Sequence, residues 1–175
     1  MQNKDALIVQ QIPRLRRYAR ALTGDASRAD DLVQDCVERA WRKFHLFRRG
    51  SDIRAWMFTI MHNLHVNTVR KASARPAVVS LAEWDGDRSV RPAQESAVEA
   101  RGVVRALALL PPEQREVILL VGLEELTYQE VAKIAGIPIG TVMSRLSRGR
   151  QRLRDLTGEG PEKPVSLSKP NLRKP

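Results

Sequence analysis

Between Thr127 and Val142 the sequence TYQEVAKIAGIPIGTV leaves the backbone few options. Thr127 and Glu130 stand three apart, the spacing at which each side chain accepts a hydrogen bond from the other's backbone N–H and starts a helix. Val131, Ala132 and Ala135 are then placed inward, and the small Ala132 permits a close helix crossing. Gly136 falls where the chain must turn sharply, in the backbone region that glycine enters most readily. Ile137 plugs the turn, and Pro138, with its fixed φ, admits the next helix. That helix sets Val142, Leu146 and Leu153 on one face, with Gly149 on the same side for close approach. The spacing predicts a helix-turn-helix. A plain helical hairpin has no use for so tight an A-x-x-x-G-I-P turn.

The outward face of the second helix carries Thr141, Met143, Ser144 and Ser147 among the arginines 145, 148, 150, 152 and 154. Short polar side chains let a helix enter a major groove, while arginines reach phosphates or guanine edges. The whole chain has a net charge of +10 and a pI near 10.6, which calls for an anionic partner. A membrane is the weaker candidate. No apolar run approaches the roughly 20 residues that span a bilayer, and the N-terminus lacks a signal-peptide apolar core. A cytoplasmic protein is expected. Cys36 is the single cysteine, so an intramolecular disulfide and a thiolate zinc cluster are excluded. His62 and His65 lack a carboxylate spaced to join them on one helix, so they read as surface or DNA-facing residues; neither metal nor cofactor is expected. With no Gly-rich phosphate loop, nucleophile elbow or acid–base pair, the chain does not read as an enzyme.

Upstream, residues 14–23 read as a short helix with Leu15, Tyr18, Ala19 and Leu22 on one stripe, Pro13 at its start and Gly24 beyond its end. Ser27 and Asp30 form a cap-like pair for a second helix, which places Leu32, Val33, Cys36, Val37, Ala40, Trp41 and Phe44 inward. The segment FRRGSD ends it. A third helix, from about Asp52 to Lys71, turns Ile53, Trp56, Met57, Ile60 and Leu64 inward. Residues 73–93 lose periodicity and read as a linker. Helical patterning returns from Gln94 to Leu110, stops at Pro111-Pro112, and resumes at 113–123. The Pro-, Gly- and Lys-rich tail 158–175 has almost nothing to bury and is expected to be disordered. With no strand signal, the expected fold is all-α: two small helical domains, 1–72 and 94–157, joined by a flexible linker. Charge is uneven between them, +7 over residues 1–72 but only +1 over 94–157, whose early helices are acidic and whose last is basic. Such polarisation fits a surface with an anionic partner.

The string LPPEQREVILLVGLEELTYQEVAKIAGIPIGTVMSRLSRGRQRLR resembles region 4 of the extracytoplasmic-function sigma factors of bacteria. RLRRYARALTGDASRADDLVQDCVERAW resembles their regions 2.1 and 2.2, and DIRAWMFTIMHNLHVNTVRK their regions 2.3 and 2.4. The resemblance covers about residues 11–156, in order. It implies a dissociable promoter-specificity subunit of RNA polymerase, monomeric when free. The first domain of the family binds the clamp helices of the largest core subunit and melts and reads the minus-ten element. The second reads the minus-thirty-five element and docks on the flap of the other large subunit. An anti-sigma factor is a further implied partner.

Residue by residue, the resemblance places Asp31, Gln34, Asp35 and Glu38 at the core-polymerase contact. Their spacing also makes an acidic face opposite the apolar stripe of a basic domain. Asn63 and Asn67, one turn apart, fall at the minus-ten site, where side-chain amides suit unstacked bases. The preceding loop, Phe47 to Ala55, offers Arg48, Arg49 and Arg54 to phosphates. On the recognition helix, Met143, Ser144 and Ser147 face bases, and Thr141, Arg145 and Arg148 face phosphates. Met143 departs from the family's frequent Lys or Arg; its thioether can touch a thymine methyl but cannot donate to guanine. The alternative is an autonomous helix-turn-helix repressor or activator. Such a protein has no use for the DLVQD face or the asparagine helix, and would usually dimerise.

Overall fold

The computed structural model describes residues 4–48, 50–73 and 102–158. Residues 74–93 of the expected linker, the first part of the helix expected from Gln94, Arg49 and nearly all of the tail lie outside these residues, while Ser73 still belongs to a helix. Helices α1 (Lys4–Val9), α2 (Ile12–Thr23) and α3 (Ala26–Lys43), a 3₁₀ turn (Phe44–Leu46) and α4 (Ile53–Ser73) build the first domain. Helical residues 102–108 (α5), then α6 (Pro112–Gly122), α7 (Tyr128–Ala135) and α8 (Ile139–Thr157), build the second. Among the described residues there is no strand, and no helix is long and apolar enough to cross a membrane.

Local chemistry sets most boundaries. Gly24 ends α2 in the left-handed region (φ 67°), returning its N–H to the Arg20 carbonyl. The Asp25 carboxylate, not Ser27, caps α3, accepting from the Arg28 N–H at 2.7 Å. Ser27 lies one residue inside the helix. The short α1, which the pattern does not announce, buries Ile8 and sets the Lys4 ammonium 4.5 Å above the Trp41 ring.

Two stripes are corrected. On α3, Ala29, Leu32, Val33, Cys36 and Ala40 are buried, but Val37 and Phe44 only partly, and Trp41 is 44% exposed. A step of four residues rotates about 40° around a helix of 3.6 residues per turn. Two steps from Val33 therefore carry Trp41 out of the buried stripe. On α7 the inward pair is Val131 and Ile134, with Ala132 and Ala135 at its margin.

The two domains pack on each other. Within each, α2 lies on α3, α3 on α4, and α8 on α6 and α7; across them, α4 lies on α7 and α2 on α6. This is why α4 buries Phe58 and Met61 as well as the expected Met57 and Ile60. Sandwiched between α3 and α7, it needs two apolar faces. Phe58 meets the fully buried Tyr18 edge-on, with ring centroids 5.0 Å apart. Cys36 is buried, with its S–H directed at the Met57 carbonyl at 3.5 Å. Burial pushes its thiol up to about 12, despite the opposing Arg39, so it behaves as a small core residue.

Candidate nucleic-acid interface

The α7–α8 unit follows from the capping box and the turn. Thr127 Oγ1 accepts from the Glu130 N–H at 3.2 Å, and Glu130 Oε2 accepts from the Thr127 N–H at 2.7 Å. Gly136 adopts φ 63°, with open space where a Cβ would lie, so the demand on this residue is one of backbone conformation. The Pro138 carbonyl then accepts from the Thr141 and Val142 N–H groups, at 2.9 and 3.2 Å, starting α8. Val142, Leu146 and Gly149 are buried beneath it. At Gly149 a Cβ would sit 2.6 Å from Ile118 Cδ1, so α8 runs close to α6 here and any added side chain displaces the tip of Ile118.

The opposite face of α8 is open. Met143, Ser144, Ser147 and Arg148 are exposed, while Thr141 and Arg145 are half-buried at its edges. Arg148 folds back along the helix, its Nε donating to the Ser144 carbonyl at 3.3 Å. Its guanidinium must swing outward to meet a phosphate. Ile139, 43% exposed, stands one turn before Met143, 53% exposed. Together they make a small apolar step at the start of the helix, where the sequence pattern singles out Met143 alone.

In the first domain Asn63 and Asn67 share an exposed face of α4. The loop before α4 is backed by Phe44, Phe47 and Trp56, whose rings lie 5.3–6.2 Å apart. Trp56 is thus partly buried within an aromatic cluster. Arg48 is exposed, but Arg54 is not free for a phosphate: its Nη1 donates to the Glu124 carbonyl at 3.2 Å, and its Nε lies 3.6 Å from the Asp52 carboxylate. On α3, Asp31, Gln34, Asp35 and Glu38 are all exposed, Glu38 being ion-paired with Arg42. Gln34 and Glu38 border an open groove of about 700 Å³ walled by Ile12, Val33, Val37 and Trp41. The misplaced tryptophan therefore belongs to this surface.

His62 and His65 are part-buried against the second domain rather than on an open DNA-facing surface. His62 Nδ1 lies 2.6 Å from Glu116 Oε1 of the second domain. Burial holds the His65 imidazole below its ordinary pKa; Glu116 opposes the shift, and Arg115 and His62 add to it. Glu124 Oε1 accepts from Arg17 Nη2 at 2.9 Å; its Oε2, with no hydrogen bond, lies 3.9 Å from Arg14. Arg115 spreads over both domains: its Nε donates to the Leu107 carbonyl at 2.8 Å and its Nη1 to the Leu22 carbonyl at 2.9 Å.

The chain is similar in sequence and fold to known proteins. The family described as the sigma2 domain of PhyR matches residues 8–62, and sigma-70, region 4 matches residues 100–153. The ECF RNA polymerase sigma factor EcfG of Rhodopseudomonas palustris is 38% identical over 148 residues, covering 83% of this chain and 80% of its own. The ECF RNA polymerase sigma factor RpoE of Cereibacter sphaeroides is 32% identical over 145 residues, covering 81% of this chain and 79% of its own. Among solved structures, the sigma factor RpoE of Bartonella quintana, determined in complex with the anti-sigma factor NepR, matches with a TM-score of 0.76 and 33% identity. That match covers 91% of this chain and 99% of the other.

Proposed function

The chain belongs to the extracytoplasmic-function RNA polymerase sigma factors, and from that premise we propose how its surfaces divide the work of directing core polymerase to promoters. The first domain, with proposed limits 1–72, docks on the clamp helices of the polymerase through Asp31, Gln34, Asp35 and Glu38. Through Asn63 and Asn67 it reads the unstacked minus-ten strand, with Arg48 and Arg49 on its phosphates. The second domain, 94–157, reads the minus-thirty-five element. Met143, Ser144 and Ser147 face its bases, and Thr141, Arg145 and Arg148 its phosphates. An anti-sigma protein is the proposed negative regulator, and a stress or envelope response the proposed setting. One observation carries this division: α4 and α8 each leave a polar reading face exposed in a single chain. An autonomous repressor uses only the second.

In vitro transcription with core polymerase on genomic fragments, with mapped start sites, tests the reading. Specific initiation dependent on this chain is expected; promoter binding and repression without core polymerase would replace it with the repressor reading. Two substitutions test the assignments. Asp35→Ala with Glu38→Ala is expected to weaken binding to core polymerase while leaving DNA binding by the second domain unchanged. Equal affinity in a competition assay rejects that surface. Arg145→Ala and Arg148→Ala are each expected to weaken promoter binding uniformly across sequences and to flatten its salt dependence by about one unit per lost phosphate contact. A changed base preference with an intact salt slope would reassign either arginine to base reading.

A further inference from the structure

Exposed apolar side chains scattered singly over a surface need no partner. Helix α8 instead sets two together: Ile139, 43% exposed, and Met143, 53% exposed, one helical turn apart. Ile139 is the first residue of the helix, in a turn pinned by the Pro138 carbonyl, which accepts from the Thr141 and Val142 N–H groups. Exposed Ser147 continues the same ridge one turn further on. Beside the ridge lie Gly140 and Ser144, both exposed, and a Cβ at Gly140 would meet open space. The ridge therefore borders a floor of short side chains, which helical spacing flanks on its far side with Arg145 and Arg148.

Neither apolar side chain reads a base by hydrogen bonding. Isoleucine has no polar side-chain atom, and the methionine sulfur accepts only weakly. In the major groove guanine, adenine and cytosine present donors and acceptors, which lose their hydration uncompensated against an apolar side chain. Thymine alone among the four bases adds an apolar group there, its C5 methyl. Four residues of helix rise about 6 Å, and base pairs stack about 3.4 Å apart. The two side chains therefore reach methyls no more than two base-pair steps apart. The arginines across the floor match the phosphates that border such a groove.

We propose that Ile139 and Met143 together read two thymine methyl groups in the major groove of the minus-thirty-five element, making Ile139 a specificity-determining residue alongside Ser144 and Ser147. The proposal rests on the sigma factor reading and deepens it, from a helix that faces bases to the chemical feature it selects. The two side chains divide the task. Isoleucine, branched at Cβ, holds one strongly preferred rotamer in a helix and presents a fixed surface. Methionine, unbranched and polarizable, adapts its thioether to the second methyl.

Replacing thymine by uracil deletes that methyl and nothing else, so the contact is tested with the protein unaltered. Promoters mapped by in vitro transcription are rebuilt with deoxyuridine at each minus-thirty-five thymine in turn, on either strand. Each is bound by holoenzyme reconstituted from core polymerase and the full chain. Affinity is expected to fall about fourfold, the worth of one buried carbon, at two positions within two base-pair steps of each other. Ile139→Ala is expected to abolish the penalty at one position and Met143→Ala at the other. Both residues are exposed, so neither substitution empties a core. Equal affinity for every uracil template overturns the proposal, as do penalties that both variants retain, or an element without two thymines so spaced. Loss of promoter-specific initiation on the unsubstituted template is a separate result. It shows before any uracil is introduced, and it defeats the sigma factor reading and the proposal with it.

Discussion

Replacing Phe58 with alanine is expected to destabilise the folded chain by about 3–5 kcal/mol, the range for deleting a buried phenylalanine ring. Phe58 is 1% exposed and lies edge-on to Tyr18, which is itself fully buried. Removing the ring forfeits its transfer from water, its contact with Tyr18, and the close fit of α4 in its bed. The site has little room to relax, since Met57 and Met61 on either side are completely buried and already committed to packing. The minus-ten reading proposed for Asn63 and Asn67 should fall as well, because both residues ride on α4. Urea denaturation followed by far-ultraviolet circular dichroism measures the loss. A change below about 1 kcal/mol would mean that the cluster is loosely packed and that Phe58 does not seat the helix.

Gly149→Leu is expected to have the opposite cause and a comparable functional effect. A Cβ at residue 149 would already lie 2.6 Å from Ile118 Cδ1 and 3.3 Å from Gln114 Cβ. Ile118 Cδ1 ends a flexible side chain, so Gly149→Ala is expected to be mild, its crowding offset by about 1 kcal/mol of gained helix propensity. Leucine adds three further carbons that must enter the same gap between α6 and α8. Overpacking of this kind costs about 1–3 kcal/mol and lifts α8 from its support. Minus-thirty-five binding, followed by fluorescence anisotropy on a mapped promoter, should fall sharply for leucine and little for alanine. Wild-type binding by the leucine variant would show that α8 reads DNA independently of its seat on α6.

The sequence made the helix ends and the tight turn of α6, α7 and α8 legible to within a residue or so. Its signals are local: a capping box, a left-handed glycine and a fixed proline each act within four residues. The first-domain helices were legible too, with α2 and its buried Leu15, Tyr18, Ala19 and Leu22 the clearest case. Errors arose where a residue's fate depends on distant chain. Trp41 was assigned to the core because the stripe on α3 was extended a turn too far. Phe58 and Met61 were missed because α4 is packed on by both α3 and α7 and so buries more than one stripe. Glu116 and Glu124 resemble surface carboxylates in any local window, and only the apposition of α2 and α4 makes them buried. His62 was misread for the same reason. The proposed reading residues Met143, Ser144 and Ser147 were legible as exposed positions, but Arg54, taken for a phosphate contact, is held at the domain boundary by the Glu124 carbonyl.

Arg115 has protons on both sides of this boundary. The Nε–H is held by Leu107 within the second domain, while the Nη1 group is held by Leu22 of the first. Exchange of these protons with solvent proceeds through local opening, so each reports the event that frees it. Separation of the domains exposes the Nη1 protons and leaves the Nε proton protected, whereas unfolding of the second domain releases both. A single guanidinium thus supplies an internal clock pair, readable by nuclear magnetic resonance without any attached label, that distinguishes a chain that opens from one that melts.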